Sequence, residues 1–235
     1  MTQLTPANAE RLRSAFLQCR DMDGTLREQL EAYAAAGREI FPAYGEAVDR
    51  LVERLHANGG GENAPSPGDP MPPFMLPDDR GRLVTLNALI AEGPVAVLFF
   101  RGHWCPYCRL NARAVIQAMD RIAATGGQVV AIMPELQEYA EKFKAESGAP
   151  FPVLTDLDNG YALSLNLAIW LGPEIQKLLS YYDMANFHGN DGWVLPIPAT
   201  FVVGRDGMVK ARFVDPDFRK RMAIDDLLAA LRSAG

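Results

Sequence analysis

The apolar positions change their pattern along the chain. Up to residue 58 they recur at helical spacing: Leu12, Phe16 and Cys19, then Leu26, Leu30, Tyr33 and Ala34, then Val48, Leu51, Val52 and Leu55. Pro42 suits the first turn of the third of these helices. Each helix carries charged residues on its other face, so its apolar stripe must be covered. It either packs on the domain that follows or joins a second copy in a homodimer. The periodicity stops at 59–73, GGGENAPSPGDPMPP, which reads as a linker. Residues 1–67 are therefore expected as a helical extension and linker, and 68–235 as the main domain.

From residue 74 the pattern alternates strand and helix. Two short apolar runs flank DDRG, a hairpin signal. Residues 95–100 and 129–133 are continuous apolar runs, as in strands buried on both faces. A helix is predicted between them, with Leu110, Val115, Ala118, Met119 and Ile122 on one face. Another follows, marked by Leu136, Tyr139, Ala140 and Phe143. Such alternation predicts right-handed βαβ crossovers. A short strand is expected at 151–155, a mostly helical stretch at 160–182 and an irregular loop at 186–198. Residues 200–203 and 208–214 flank GRDG as a hairpin, and Ile224, Leu227, Leu228 and Leu231 give a closing helix.

Composition narrows the function. The chain has 235 residues and a net charge of −6, so it lacks the basic footprint of a nucleic-acid binder. No apolar run reaches a membrane-spanning length, and the start lacks a signal-peptide pattern, which gives a cytoplasmic expectation. Three cysteines cannot build a disulfide framework.

Two of those cysteines lie in Arg101-Gly-His-Trp-Cys-Pro-Tyr-Cys-Arg109, where a buried strand turns into a helix. Cys105 falls near the N-cap, Pro106 suits the first turn, and Cys108 shares a helix face with Cys105. A disulfide across so small a loop stabilises little, so the pair suits a switch better than a staple. A helix N-terminus favours an anion by up to about 2 kcal/mol, enough to bring a thiol from roughly 8.5 towards neutral pH. That position predicts Cys105 as the lower-pKa thiol. Arg101, Arg109 and His103 are nearby cationic candidates. Cys19, on the first helical stripe, reads as a buried hydrophobe.

Residues 68–235 resemble the peroxiredoxin-like AhpC/TSA branch of the thioredoxin superfamily. The matching stretches are GDPMPPFMLPDDRGRLVTL, VAVLFFRGHWCPYC and PIPATFVVGRDGMV. The resemblance implies an α/β fold with a thioredoxin-like (peroxiredoxin-type) central mixed sheet flanked by helices, here with an N-terminal helical extension. It implies a thiol-dependent oxidoreductase cycling a Cys105–Cys108 disulfide, on peroxides or protein disulfides. An external thiol of thioredoxin or glutathione type would restore the dithiol. In the thioredoxin register Cys105 attacks and Cys108 resolves. In the peroxiredoxin register, Pro-x-x-x-Thr-x-x-Cys, Cys108 attacks peroxide, Cys105 replaces the threonine and Arg101 the proline. The arginine that peroxiredoxins set against the sulfur is then replaced by Pro198. The thioredoxin likeness makes Pro198 a cis proline opposite the cysteines. Ile197 would pair with a bound peptide, and Trp104 would join in substrate binding. No metal, flavin or nucleotide is implied. The alternative is a copper- or zinc-binding protein using Cys105, Cys108 and His188. Trp170, Phe187 and Trp193 are expected near the active-site face.

Overall fold

The computed structural model describes residues 3–235. Three helices come first: α1 (Pro6–Asp21), α2 (Leu26–Ile40) and α3 (Pro42–Ala57). Thr5 caps α1. Thr25 and Glu28 form a reciprocal capping box on α2, which satisfies two otherwise orphaned backbone donors. Pro42 opens α3 as expected. The hairpin β1 (Met75–Pro77) and β2 (Leu83–Thr85) follows, then α4 (Leu86–Glu92) and β3 (Val95–Phe99).

The predicted helix after β3 divides into α5 (Pro106–Gln117) and α6 (Met119–Ala123). Ala118 breaks it by leaving helical geometry, at ψ 1°. Next come β4 (Gln128–Met133), α7 (Gln137–Ser147) and β5 (Val153–Thr155). The stretch expected as mostly helical holds α8 (Gly160–Ser164), β6 (Ala168–Trp170) and α9 (Pro173–Leu178). The expected irregular loop contains α10 (Met184–His188), which begins just before it, and β7 (Val194–Pro196). The chain closes with β8 (Ala199–Val203), β9 (Val209–Val214) and α11 (Ile224–Ala234).

The central sheet has the order β5-β4-β3-β8-β9. Strand β3 is parallel to β4, and β4 to β5, while β8 and β9 run antiparallel. All five residues of β3 are fully buried. This explains why its sequence is continuously apolar rather than alternating. One face carries Val95, Val97 and Phe99 against an aromatic group that includes Phe74, Tyr161 and Phe201. The other face carries Ala96, Leu98 and Phe100 against α5, α7 and α11.

The apolar stripes of the N-terminal helices join this second core. Leu30, Tyr33, Val48 and Leu51 are buried with Cys105, Tyr107 and Cys108, and α2 lies against α5. Each such side chain removed from water contributes roughly 1.5–3 kcal/mol. The extension is therefore packed on the domain. The stretch expected as a linker is also anchored: Ala64 and Met71 are buried, and the Gly68 and Met71 N–H groups donate to Val209 and Gly207. Among the described residues no helix is long and apolar enough to cross a membrane.

Candidate active site

Strand β3 ends at Phe99, and residues 100–105 turn the chain into α5. Gly102 adopts φ +145°, and a β-carbon there would lie 2.7 Å from Glu135 Oε1 and 2.6 Å from Trp104 Nε1. Only glycine fits. Glu135 is wholly buried and holds this turn. Its carboxylate accepts the His103 backbone N–H at 2.6 Å and meets His103 Nδ1 at 2.7 Å. The imidazole is fixed further by stacking on Tyr139 and by the edge of Phe187. His103 is thus committed to positioning the turn. Arg109 is also committed elsewhere, to Glu146 and the Phe16 ring.

Cys105 caps α5 with extended geometry, and Pro106 occupies the first turn. Both Cys105 and Cys108 have no solvent-exposed surface. Their surroundings differ. The Arg101 backbone N–H donates to Cys108 Sγ at 3.3 Å, and Arg221 Nη2 donates to it at 3.4 Å. Burial alone pushes the Cys108 thiol up. The adjoining Cys105 S–H, the Arg221 guanidinium and the Arg101 N–H more than offset it, bringing Cys108 down to about 6. Cys105 is pushed well up, by burial first and then by the neighbouring Cys108 sulfur. The expectation that Cys105 is the lower-pKa thiol is corrected. The helix terminus is outweighed by two donors that reach Cys108 instead.

Arg221 is the residue that sequence reasoning missed. It lies on the loop between β9 and α11, 113 residues from Cys108. It supplies a guanidinium where Pro198 had left none. The basic run Arg219-Lys220-Arg221 was visible, but nothing local placed it at a sulfur. Arg101 supplies a second cation. It is 2% exposed, its guanidinium carbon sits 3.8 Å from the Phe218 ring centroid and 5.3 Å from that of Trp104, and its Nη2 has no hydrogen-bond partner.

A small pocket, with a cavity volume of about 70 Å³, lies in front of Cys105. One wall is the cysteine turn, with Arg101, Trp104 and Tyr107. The opposite wall comes from the N-terminal extension, with Leu12, Tyr33, Gly37 and Tyr44. Trp104 lines the pocket, with its Nε1 unpartnered. Cys108 lies behind Cys105 and does not line it.

Pro198 and Ile197 depart from the thioredoxin-like expectation. No cis peptide bond occurs among the described residues, so Pro198 is trans. Ile197 is buried, and its N–H donates to Leu167 O at 2.7 Å, continuing the β6–β7 pairing. That donor is spent within the fold and is not free to pair with a peptide. The metal reading is corrected too. His188 is buried, with Nδ1 at 2.7 Å from Pro134 O. Among the described residues no cluster of three or more His, Cys, Asp or Glu is placed to hold a metal ion. Phe187 packs on His103, while Trp170 is more than half exposed on β6 and Trp193 takes φ +53°. Cys19 is buried in the α1 stripe with a free thiol.

Comparison with known proteins fits this geometry. Residues 67–212 match the AhpC/TSA family. The chain is 26% identical to the chloroplastic peroxiredoxin Q of Sedum lineare over 166 residues, 71% of this chain and 77% of that one. It is 25% identical to the thiol-disulfide oxidoreductase ResA of Bacillus subtilis over 150 residues, 63% and 68% of the two chains. Among solved structures, peroxidoxin BcpB from Mycobacterium tuberculosis superposes with a TM-score of 0.57 at 22% identity, covering 73% of this chain and 99% of that one. Peroxiredoxin Q of Xanthomonas campestris gives 0.52 at 18%, covering 68% and 90%. These two likenesses are of fold. The family match spans more than half the chain, and with the paired sulfurs it leads to one conclusion: the protein belongs to the AhpC/TSA family and is a thiol-dependent oxidoreductase.

Proposed function

We propose that the protein reduces peroxides with the Cys105–Cys108 pair, which forms a disulfide in each cycle. The observation that supports this most is burial. Neither sulfur is exposed, and the pocket ends at Cys105. A small peroxide needs only side-chain displacement to arrive, whereas a folded protein's disulfide would need the helices to part. The peroxiredoxin relatives point the same way.

The pair divides its labour. Cys108 holds the negative charge and Cys105 faces the substrate. Cys105 sulfur attacks the outer oxygen of a hydroperoxide while Cys108 takes its proton. The O–O bond breaks, and the leaving alkoxide or hydroxide takes that proton and departs as alcohol or water. Cys105 becomes a sulfenic acid. The Cys108 thiolate then attacks Cys105 sulfur, the S–S bond forms, and hydroxide leaves and is protonated by solvent. A small thiol of glutathione type, or a thioredoxin once the helices part, supplies two electrons to restore the dithiol.

The test is stopped-flow oxidation of the reduced protein by hydrogen peroxide and by cumene hydroperoxide, beside its reduction of insulin disulfides. Peroxide oxidation at least a thousandfold faster than that of free cysteine is expected. A rate no faster than free cysteine, or insulin turnover exceeding peroxide turnover, would sink the reading.

A further inference from the structure

A second pocket adjoins Arg221, with a cavity volume of about 310 Å³. Its walls carry four cations, Arg27 of α2 and Arg219, Lys220 and Arg221 of the loop after β9, against two carboxylates, Glu31 and Asp215. We propose that this pocket binds a small oxyanion, free or as the phosphate ester of a metabolite, and holds it more tightly when Cys108 is uncharged, as a thiol or in the disulfide, than when it is a thiolate. The inference goes beyond the peroxidase reading and requires only that the charge on Cys108 changes.

The charges do not cancel within the fold. Lys220 pairs with Asp215 at 3.0 Å, and Arg219 is held by Asp217 and Asp49. Among the described residues neither Arg27 nor Arg221 forms an ion pair with a carboxylate. Arg221 spends Nη1 on the carbonyls of Phe218 and Lys220 and Nη2 on Cys108 Sγ. Its Nε is buried without a partner. Among the described residues the Cys108 thiolate is therefore the one negative group that this guanidinium touches.

That counter-charge disappears whenever Cys108 is protonated or bonded to Cys105. A half-buried cation is then left without its partner, which is a costly state. An oxyanion in the adjoining pocket takes the vacated role, because a guanidinium donates two parallel hydrogen bonds to phosphate or sulfate oxygens. The free Nε supplies one donor, and Nη2, released from the sulfur, the other. Arg27 adds a second unpaired charge from α2. A thiolate on Nη2 instead repels an anion held by the same guanidinium. The coupling is reciprocal, so the anion also opposes loss of the Cys108 proton and favours the disulfide. A tenfold difference in affinity corresponds to a rise of about one pH unit in the Cys108 midpoint at saturating anion.

Sulfate is the first probe, since its charge is constant where Cys108 titrates, and chloride at equal ionic strength controls for screening. Diamide, which takes two electrons and two protons from the cysteine pair, prepares the disulfide without peroxide. Calorimetric titration at pH 8 should show sulfate binding the oxidised protein at least tenfold more tightly than the reduced protein. In the reduced protein, the midpoint of the thiolate's ultraviolet absorbance should rise by about one pH unit at saturating sulfate. Arg27→Ala should weaken sulfate binding to the oxidised form at least fivefold. Glycerol 3-phosphate is the second probe: tighter binding than sulfate assigns the site to a phosphate ester, and weaker binding to a free anion. Equal affinity for the two redox forms, a midpoint moved no further than by chloride, an affinity unmoved by Arg27→Ala, or binding of neither anion would overturn the proposal. Failure of the reduced protein to react with peroxides would overturn the peroxidase reading and leave these titrations as they are, so the two failures are told apart.

Discussion

The space in front of Cys105 and the space behind Cys108 are separated by one helical turn and built from opposite materials. The front is mostly aromatic and aliphatic, supplied in large part by α1, α2 and α3, with Arg38, Arg101 and Arg219 also on its walls. The back is a donor site, made of the Arg101 N–H and Arg221. Had one sulfur to meet both needs, its counter-charges would crowd the substrate's path. Splitting them lets a thiolate persist in a dry interior. There the paired cations and the charge they hold compensate a desolvation that neither could bear alone.

This contrast is broken most severely by removing one sulfur at a time. Cys105→Ser should lower peroxide consumption by roughly a thousandfold or more, because the sulfur facing the pocket is gone. Cys108→Ser should instead consume one equivalent, more slowly because the acceptor of the Cys105 proton is gone, and leave a sulfenic acid on Cys105, trapped with dimedone and located by mass spectrometry. A dimedone adduct on Cys108 of the Cys105→Ser protein would reverse the assignment and restore the peroxiredoxin register.

Next in size is Glu135, which holds the turn that joins front to back. Glu135→Ala strips a buried imidazole and a backbone N–H of their acceptor and should cost about 3–5 kcal/mol in urea unfolding. A loss under 1 kcal/mol would show that the turn holds itself.

The back alone is tested by pH. With Cys108 at about 6, the oxidation rate should rise with pH to a midpoint near 6 and then level off. Arg221→Ala removes a cation from the thiolate, so the midpoint should move up by about one pH unit or more. The sign also bears on stability. The folded Cys108 loses its proton more readily than the unfolded thiol. Its contribution is full above the ordinary thiol range and is lost as pH falls through about 6. A midpoint unmoved by Arg221→Ala would remove that residue from the site.

The smallest effect concerns the front. Thr25→Ala deletes half of the capping box on α2 and should cost about 1 kcal/mol. If α2 is an integral wall, that loss appears in the single cooperative transition of the whole chain. A separate early transition would show the extension unfolding by itself.

Much of the fold could be read from the residues. The apolar runs at 95–100 and 129–133 became β3 and β4, since a strand buried on both faces admits little else. The stripes at Leu30, Tyr33, Val48 and Leu51 marked helices whose covered faces were real. Strands β6 and β7 were not visible. Each has three residues, one contains Pro196, and they pair across an intervening helical region. No local period survives in so short a ladder. The site divided in the same way. Cys105 and Cys108 were evident from spacing and from the strand-to-helix corner. Arg221 and Tyr33 were not, because they arrive through tertiary packing from loops and helices remote in sequence. The pKa order reversed because a helix terminus is a local signal and an arginine from a distant loop is not.

One ion pair ties the two sides together. Arg219 lines the front pocket, bonds Asp217 on its own loop and reaches Asp49 of α3 at 3.0 Å. It stands two positions before Arg221. A widening of the pocket that carries α3 outward must stretch this link or pull the loop along. The admission of a guest and the electrostatic grip on the buried sulfur are thus joined by a single mechanical tether.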